Sequence, residues 1–81
     1  MKAKVYITPK KSVLDPQGKT VQHAIASSGM FDLKEARVGK YIELDLGNVN
    51  ESIANQKVKE MCEKLLANTV IEDYRFEISA N

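Results

Sequence analysis

Apolar residues recur along this chain with two different periods. Every second residue is apolar through much of residues 2–8, 36–46 and 70–78, and this alternation predicts three strands. Apolar residues recur every three or four positions in residues 15–28 and 51–67, which predicts two amphipathic helices. The order β-α-β-α-β predicts an α+β two-layer sandwich, in which one sheet carries both helices on its apolar face.

The two predicted helices have recognisable ends. Asp15 is a good N-cap, and Pro16 follows at the first helical position, where a missing N–H costs nothing. Gly29 fits the left-handed position after this helix. Asn50 is the predicted N-cap of the second helix, and Asn68 is its predicted stop. The predicted buried stripe of the second helix consists of Ile53, Ala54, Val58, Met61, Cys62, Leu65 and Leu66.

The middle predicted strand is longer than its neighbours. Residues 36–46 would span roughly 36 Å, whereas the flanking strands would span roughly 23–30 Å. Pro9 is predicted to end the first strand because it cannot donate a ladder hydrogen bond. Lys40 interrupts the apolar face of the middle strand, and Gly39 beside it predicts a bulge or bend. An overhanging strand edge can pair with a second chain, so we expect this long strand to be used in oligomer contacts.

Composition narrows the class of protein. The chain has 81 residues, which fits a single domain over residues 1–81. Lys and Arg total 12 and Asp and Glu total 11, and a net charge of +1 argues against nucleic-acid binding. No apolar run reaches the ~18–20 residues that span a bilayer, and no signal-like segment follows Met1. These features predict a cytoplasmic protein that does not bind membranes.

Candidate chemistry is sparse. His23 is the single histidine and has no nucleophile or orienting group at a recognisable spacing. Cys62, the single cysteine, lies on the predicted buried stripe and excludes an internal disulfide. No spacing of ligands predicts a metal site, and the isolated glycines form no phosphate-binding loop. We therefore predict no catalytic, cofactor-binding or metal-binding residue in this chain.

Two stretches are unusual for a sequence that specifies a fold alone. Gly18 stands at the third position of a helix, where glycine costs about 1 kcal/mol relative to alanine. Close approach by another backbone or a ligand would explain it. Lys40 stands where the strand pattern of residues 37–44 favours an apolar residue.

These stretches resemble a known family. The segments KAKVYITPKKSVLDPQGKTVQHAI and ARVGKYIELDL are similar to PurS, the small subunit of phosphoribosylformylglycinamidine synthase, also called formylglycinamide ribonucleotide amidotransferase. The resemblance covers roughly residues 2–78. The chain departs from the family pattern at residues 30–32, where Met-Phe-Asp replaces a Gly-Tyr-like turn.

The resemblance implies a non-catalytic assembly subunit. The enzyme uses glutamine and ATP to convert formylglycinamide ribonucleotide to formylglycinamidine ribonucleotide, a step of de novo purine biosynthesis. A large synthetase subunit binds ATP and the ribonucleotide, a glutaminase subunit releases ammonia, and the small subunit, usually a dimer, bridges them. We expect the complex to use ATP and Mg, this chain to hold neither, and the chain to form dimers or tetramers. The expected partner-interface residues are Asp15, Pro16, Gln17, Gly18, Arg37, Gly39, Lys40 and Tyr41.

Other functions remain open at this point. A small-ligand sensing or regulatory module of ferredoxin-like type would need a polar pocket at a dimer interface. An acylphosphatase-like enzyme would need an arginine in a phosphate-binding loop, and neither Arg37 nor Arg75 is predicted in a loop. RNA binding would need more exposed strand aromatics than Tyr6 and Tyr41. Neighbouring genes for a glutaminase and an ATP-dependent synthetase would favour the assembly subunit.

Overall fold

Three strands and two helices follow one another in the predicted order. The computed structural model describes residues 1–80. The elements are β1 (Lys2–Pro9), α1 (Pro16–Ser27), β2 (Lys40–Asp45), α2 (Glu51–Met61), which continues as a π-helical turn (Cys62–Leu66), and β3 (Glu72–Ser79). The predicted α+β order is confirmed, and none of the helices in the described chain is long and apolar enough to cross a membrane.

The strands form one antiparallel sheet in the order β2-β1-β3. β1 is the central strand, and both of its edges are paired. Its alternating apolar residues point to one face of the sheet. Ala3, Val5 and Ile7 are at most 1% exposed. On the opposite face, Tyr6 lies directly across from Tyr41 of β2 and Arg75 of β3. The sheet therefore has one apolar face and one polar face.

The hydrophobic core is small and lies between β1 and α2. Its buried members are Ala3, Val5, Ile7, Val58, Cys62 and Ala67. Half-buried side chains of β2 and β3 surround it, among them Ile42, Leu44, Phe76 and Ile78. Cys62 is fully buried here, as the helical pattern predicted.

The end of α2 differs from the predicted stripe. Ala67 N–H donates to the carbonyl oxygen of Cys62 at 2.9 Å, the spacing of a π-helical turn. This wider turn brings Leu66 and Ala67 toward the sheet and leaves Leu65 82% exposed. Ile53, at the other end of the stripe, is 44% exposed. The prediction that Leu65 and Ile53 are buried was therefore wrong.

The long middle strand is also corrected. β2 begins at Lys40, and residues 36–39 are not part of the sheet. Lys10 N–H donates to Ile71 on the β3 side of β1, so the nitrogen of the preceding Pro9 lies on the β2 side. Because Pro9 has no N–H, the β1–β2 ladder cannot continue to Val38, although β1 still pairs with β3 at Pro9. Pro9 thus ends pairing with β2, and it is also the last residue of β1, so the prediction that it ends this strand is confirmed.

The placement of α1 differs from the prediction of two helices on one face. The hydrophobic core joins α2 to the sheet and includes no residue of α1, which packs instead on the segment that precedes β2. The Cα trace is consequently elongated, 49 × 27 × 13 Å. Val21, on the predicted apolar face of α1, is 40% exposed. The predicted left-handed glycine at the end of α1 is confirmed, since Gly29 has a φ of 79°.

Candidate functional site

Asp15 joins the two stretches that the sequence singles out. Its Oδ1 accepts a hydrogen bond from Gly18 N–H at 3.0 Å, which is the predicted N-cap of α1. Its Oδ2 accepts a second hydrogen bond from Val38 N–H, also at 3.0 Å. The two N–H donors, Gly18 first and then Val38, hold the pKa of the Asp15 carboxyl below its usual value. One carboxylate therefore fixes the start of α1 and the approach to β2 together.

The environment of Gly18 explains its unusual position. Gly18 is buried, and a Cβ at this position would collide with the carbonyl oxygen of Ala36. The close backbone approach inferred from the sequence is therefore made by the chain's own segment before β2. Gly18 does not leave an open space for a partner.

Arg37 and several lysines surround a cavity beside α1. The cavity has a volume of about 250 Å³, and its walls include Asp15, Lys11, Lys19, Lys34 and Arg37. The nearby guanidinium of Arg37 also favours the ionised form of Asp15. One guanidinium nitrogen of Arg37, Nη2, is buried without a hydrogen-bond partner among residues 1–80.

A second cavity brings together five of the predicted interface residues, one of which is Asp15. It has a volume of about 320 Å³ and is lined on one side by Pro16 and Gln17 and on the other by Gly39 and Lys40. Lys40 Nζ lies 3.8 Å from Glu72 Oε2, with the lysine side chain 57% exposed. Lys40 therefore has an ionic partner within its own chain, which accounts for a charge at an apolar position. An ion pair this exposed adds little stability.

Tyr41 lies apart from the other predicted interface residues. Its ring packs on Tyr6 on the polar face of the sheet, with ring centroids 5.2 Å apart. The guanidinium carbon of Arg75 lies 3.9 Å from the centre of the Tyr6 ring. Tyr41, Tyr6 and Arg75 thus form one row across all three strands, and Tyr41 is 50% exposed.

The surroundings of His23 and Cys62, the two residues considered for catalysis, do not favour a catalytic role. His23 is exposed on α1. Burial raises the pKa of the Cys62 thiol, and this opposes formation of a nucleophilic thiolate. In residues 1–80, no three His, Cys, Asp or Glu side chains are grouped so as to hold a metal ion.

Exposed apolar side chains are the feature that the sequence analysis missed. Four of them are 69–80% exposed and lie outside the helices and strands: Leu14, Met30, Phe31 and Val70. The signal was their position, since an apolar residue outside a periodic segment has no predicted place in the core. The apolar alternation predicts that Val70 belongs to the last strand, but this strand begins at Glu72.

A small core, an elongated trace and exposed apolar side chains define a class of protein. They are typical of a small α+β subunit that associates with other chains, because a domain of this size gains much of its burial from partners.

The comparison with known proteins identifies the family. The family model for PurS, described as phosphoribosylformylglycinamidine (FGAM) synthase, matches residues 2–80, and the chain belongs to this family. It is 54% identical over 77 residues to the PurS subunit of Bacillus subtilis, which covers 95% of this chain and 90% of that protein. It is 48% identical over 77 residues to the Synechocystis subunit, covering 95% of this chain and 77% of that protein.

Solved structures agree with this assignment. Bacillus subtilis PurS superposes with a TM-score of 0.84 at 53% identity and covers 98% of both chains. Methanocaldococcus jannaschii PurS, described as a subunit of formylglycinamide ribonucleotide amidotransferase, gives 0.86 at 41% identity, covering 99% of this chain and 96% of that one. A chain of the PurLQS structure from Thermotoga maritima gives 0.85 at 32% identity, covering 94% and 93%.

Proposed function

We propose that this chain is the non-catalytic assembly subunit of phosphoribosylformylglycinamidine synthase and bridges its glutaminase and ATP-dependent synthetase subunits. The family match over residues 2–80 is the observation that carries the proposal. The likeness to a chain of the Thermotoga maritima PurLQS structure supports a place in a complex of several subunits. The complex would make formylglycinamidine ribonucleotide from formylglycinamide ribonucleotide, glutamine and ATP, in the cytoplasm, as a step of de novo purine biosynthesis.

A bridging subunit has a physical role in this chemistry. Ammonia that is released at one site and consumed at another is diluted by water unless the two sites are held together. A small domain with exposed apolar side chains suits this task, because such side chains gain free energy when another chain covers them. The residues of this chain would hold the geometry, and the partners would supply the reacting groups.

The proposal assigns ATP and Mg to the synthetase subunit. Mg²⁺ requires oxygen ligands that converge on one point, and the carboxylates of residues 1–80 do not converge in this way. The cavity beside α1 is bordered by Lys11, Lys19 and Lys34 together with the carboxylates of Asp15 and Glu35, and its lining contains no glycine-rich loop to surround phosphates. No step of the reaction is therefore assigned to a residue of this chain.

Self-association is the second part of the proposal, as a dimer or a dimer of dimers. β2 is an edge strand, since the sheet order is β2-β1-β3, and its outer edge is unpaired within the chain. Residues 31–39 lead into β2 from outside the sheet and carry the exposed side chain of Phe31. A second copy that pairs along this region would extend the sheet and cover exposed apolar surface.

Reconstitution tests the proposed function directly. The purified chain is mixed with the glutaminase and synthetase subunits, and turnover is measured with glutamine and, separately, with ammonium chloride as the nitrogen source. We expect glutamine-dependent turnover to require the chain and ammonium-dependent turnover to proceed without it. Glutamine-dependent turnover that is equally fast without the chain would contradict the assembly role.

A further inference from the structure

The cavity beside α1 carries more positive than negative charge. Its lining includes four cations and two carboxylates: Lys11, Lys19, Lys34, Arg37, Asp15 and Glu35. The whole chain has a net charge of only +1, so positive charge is concentrated in this cavity. A cleft lined mainly by one sign of charge raises the local concentration of ligands of the opposite sign.

Three of these cations reach the cavity from separate segments and have no ionic partner. Lys11 lies in the turn after β1, Lys19 lies on α1, and Arg37 lies in the segment before β2. The ion pairs formed within residues 1–80 involve other cations, among them Lys34, which pairs with Asp32. Three unpaired cations therefore converge on one cavity.

The carboxylate of Asp15 does not satisfy these cations. Its two oxygens accept hydrogen bonds from the backbone N–H groups of Gly18 and Val38. The free N–H groups at the start of α1 are in turn partly occupied by this carboxylate. The attraction of the cavity for an anion thus depends on its cationic side chains rather than on the helix terminus.

The guanidinium of Arg37 lacks an acceptor. Its Nη2 is shielded from water and has no hydrogen-bond partner in the part of the chain that the structure describes. A shielded donor of a charged group is unfavourable when no acceptor meets it. Rotation of the guanidinium toward an acceptor in the cavity would satisfy this nitrogen, and the planar fork of arginine matches paired oxygens of a phosphate.

We propose that this cavity binds a phosphate group, carried either by inorganic phosphate or by a small phosphate monoester. Arg37 donates hydrogen bonds to two oxygens, and Lys11 and Lys19 contribute positive charge from two other directions. A phosphate group offers three strong acceptor oxygens and close to two negative charges at neutral pH. A carboxylate offers two oxygens and one charge, so three converging cations favour phosphate.

The size of the cavity limits the ligand. Its volume is about 250 Å³, which is below the range of about 300–1,000 Å³ that is usual for pockets that hold drug-sized molecules. A phosphate with a small sugar fits this volume, whereas a nucleotide does not. The inference is independent of the proposed function, because the isolated chain should bind the ligand.

Titration of the full chain tests the site. Inorganic phosphate and ribose 5-phosphate are added separately at constant ionic strength, with sodium acetate as a third arm, and amide signals are followed by nuclear magnetic resonance. We expect saturable shifts at Lys19 and at residues 34–37, with a dissociation constant of about 1 mM or below for at least one of the two phosphates. Tighter binding of one phosphate identifies the source of the group.

The variants separate recognition from overall charge. Arg37→Gln should weaken phosphate binding about tenfold, and Arg37→Lys should weaken it less, because lysine keeps the charge but loses the fork. Arg75→Gln is the matched control: it removes the same charge from the polar face of the sheet, where Arg75 contacts Tyr6 and Glu77, and should leave the affinity unchanged. The double variant Lys11→Gln with Lys19→Gln changes two exposed residues and should weaken binding about fivefold without affecting folding.

Each outcome decides the proposal. Absence of saturable shifts with either phosphate up to about 10 mM would overturn it. An equal loss of affinity in Arg37→Gln and Arg75→Gln would show nonspecific attraction by net charge. Acetate that binds as tightly as the phosphates would show a carboxylate site, such as one for an acidic side chain of another protein, and the phosphate site would be wrong. If Arg37→Gln loses its native circular dichroism spectrum, the double lysine variant decides, and unchanged affinity in that variant would refute the site.

Discussion

The backbone of Gly39 lies so close to the carbonyl oxygen of Ile7 that a Cβ on residue 39 would collide with that oxygen. The contact lies where the chain leaves the segment before β2 and enters the sheet at Lys40. The glycine that the sequence marks as a bend is therefore needed for a close backbone approach to the central strand.

Gly39→Ala is expected to destabilise the chain by about 1–3 kcal/mol, because the methyl group must displace the backbone of β1 or of the entering segment. Denaturant unfolding measures this free energy. Gly47→Ala is the control, since Gly47 has a φ of 70° but open space around its Cβ position. A smaller loss for Gly39→Ala than for Gly47→Ala would contradict the close contact.

Protonation of the Asp15 carboxylate makes the free energy of unfolding of the chain depend on pH. The N–H donors of Gly18 and Val38 lower the pKa of Asp15 in the folded chain below its ordinary value of 3.8. The stabilisation by this group is therefore complete above the pKa of the unfolded chain and is lost as the pH falls through the lower pKa of the folded chain. Between neutral pH and about pH 3, Asp15→Asn should lose less free energy of unfolding than the unsubstituted chain does.

A matched carboxylate distinguishes this effect from general acid denaturation. Lys64 lowers the pKa of Glu60 through an exposed ion pair on α2, at 3.2 Å. Glu60→Gln removes a carboxylate whose pKa is also lowered in the folded chain but which does not join two distant segments. Acid profiles that are identical for Asp15→Asn and the unsubstituted chain would show that the carboxylate of Asp15 does not contribute.

The contrast between Leu65 and Val58 tests the π-helical turn. Both residues lie on the stripe that the sequence predicts as buried, but Val58 is fully buried and Leu65 is 82% exposed. Val58→Ala should cost about 2 kcal/mol in denaturant unfolding of the isolated chain, whereas Leu65→Ala should stay within about 0.5 kcal/mol. Equal losses would mean that α2 continues as a regular α-helix and buries Leu65.

The sequence predicts best those parts of the fold in which the spacing of apolar residues along the chain matches the pattern of buried residues in the structure. β1 shows this best, because its alternating residues Ala3, Val5 and Ile7 form the centre of the core. The segment 36–39 shows the limit: its alternation resembles a strand, but a proline one strand away and a carboxylate 23 residues earlier in the chain prevent pairing. Both causes are interactions between different segments of the chain. The spacing of apolar residues within one segment cannot predict such interactions.

The candidate site shows the same limit. The sequence predicts that Asp15 caps α1, because capping depends on neighbouring residues. It does not predict that the second oxygen reaches Val38, or that Ala36 fills the space beside Gly18. Lys40 was similarly interpreted as unexplained by the fold, since its partner Glu72 lies on a different strand.

The segment before β2 carries an exposed aromatic side chain that self-association would cover. Phe31 is 69% exposed and lies in the segment that leads from α1 into the edge strand β2, and contact of its aromatic side chain with water is unfavourable. We expect the unsubstituted chain to sediment as a dimer or tetramer at micromolar concentration and Phe31→Ser to shift it toward the monomer with its circular dichroism unchanged. Leu65→Ser is the control, because Leu65 is 82% exposed but lies in the π-helical turn after α2, outside the segment that leads into β2. A folded, concentration-independent monomer of the unsubstituted chain would contradict self-association, and an equal shift by both variants would place the contact elsewhere.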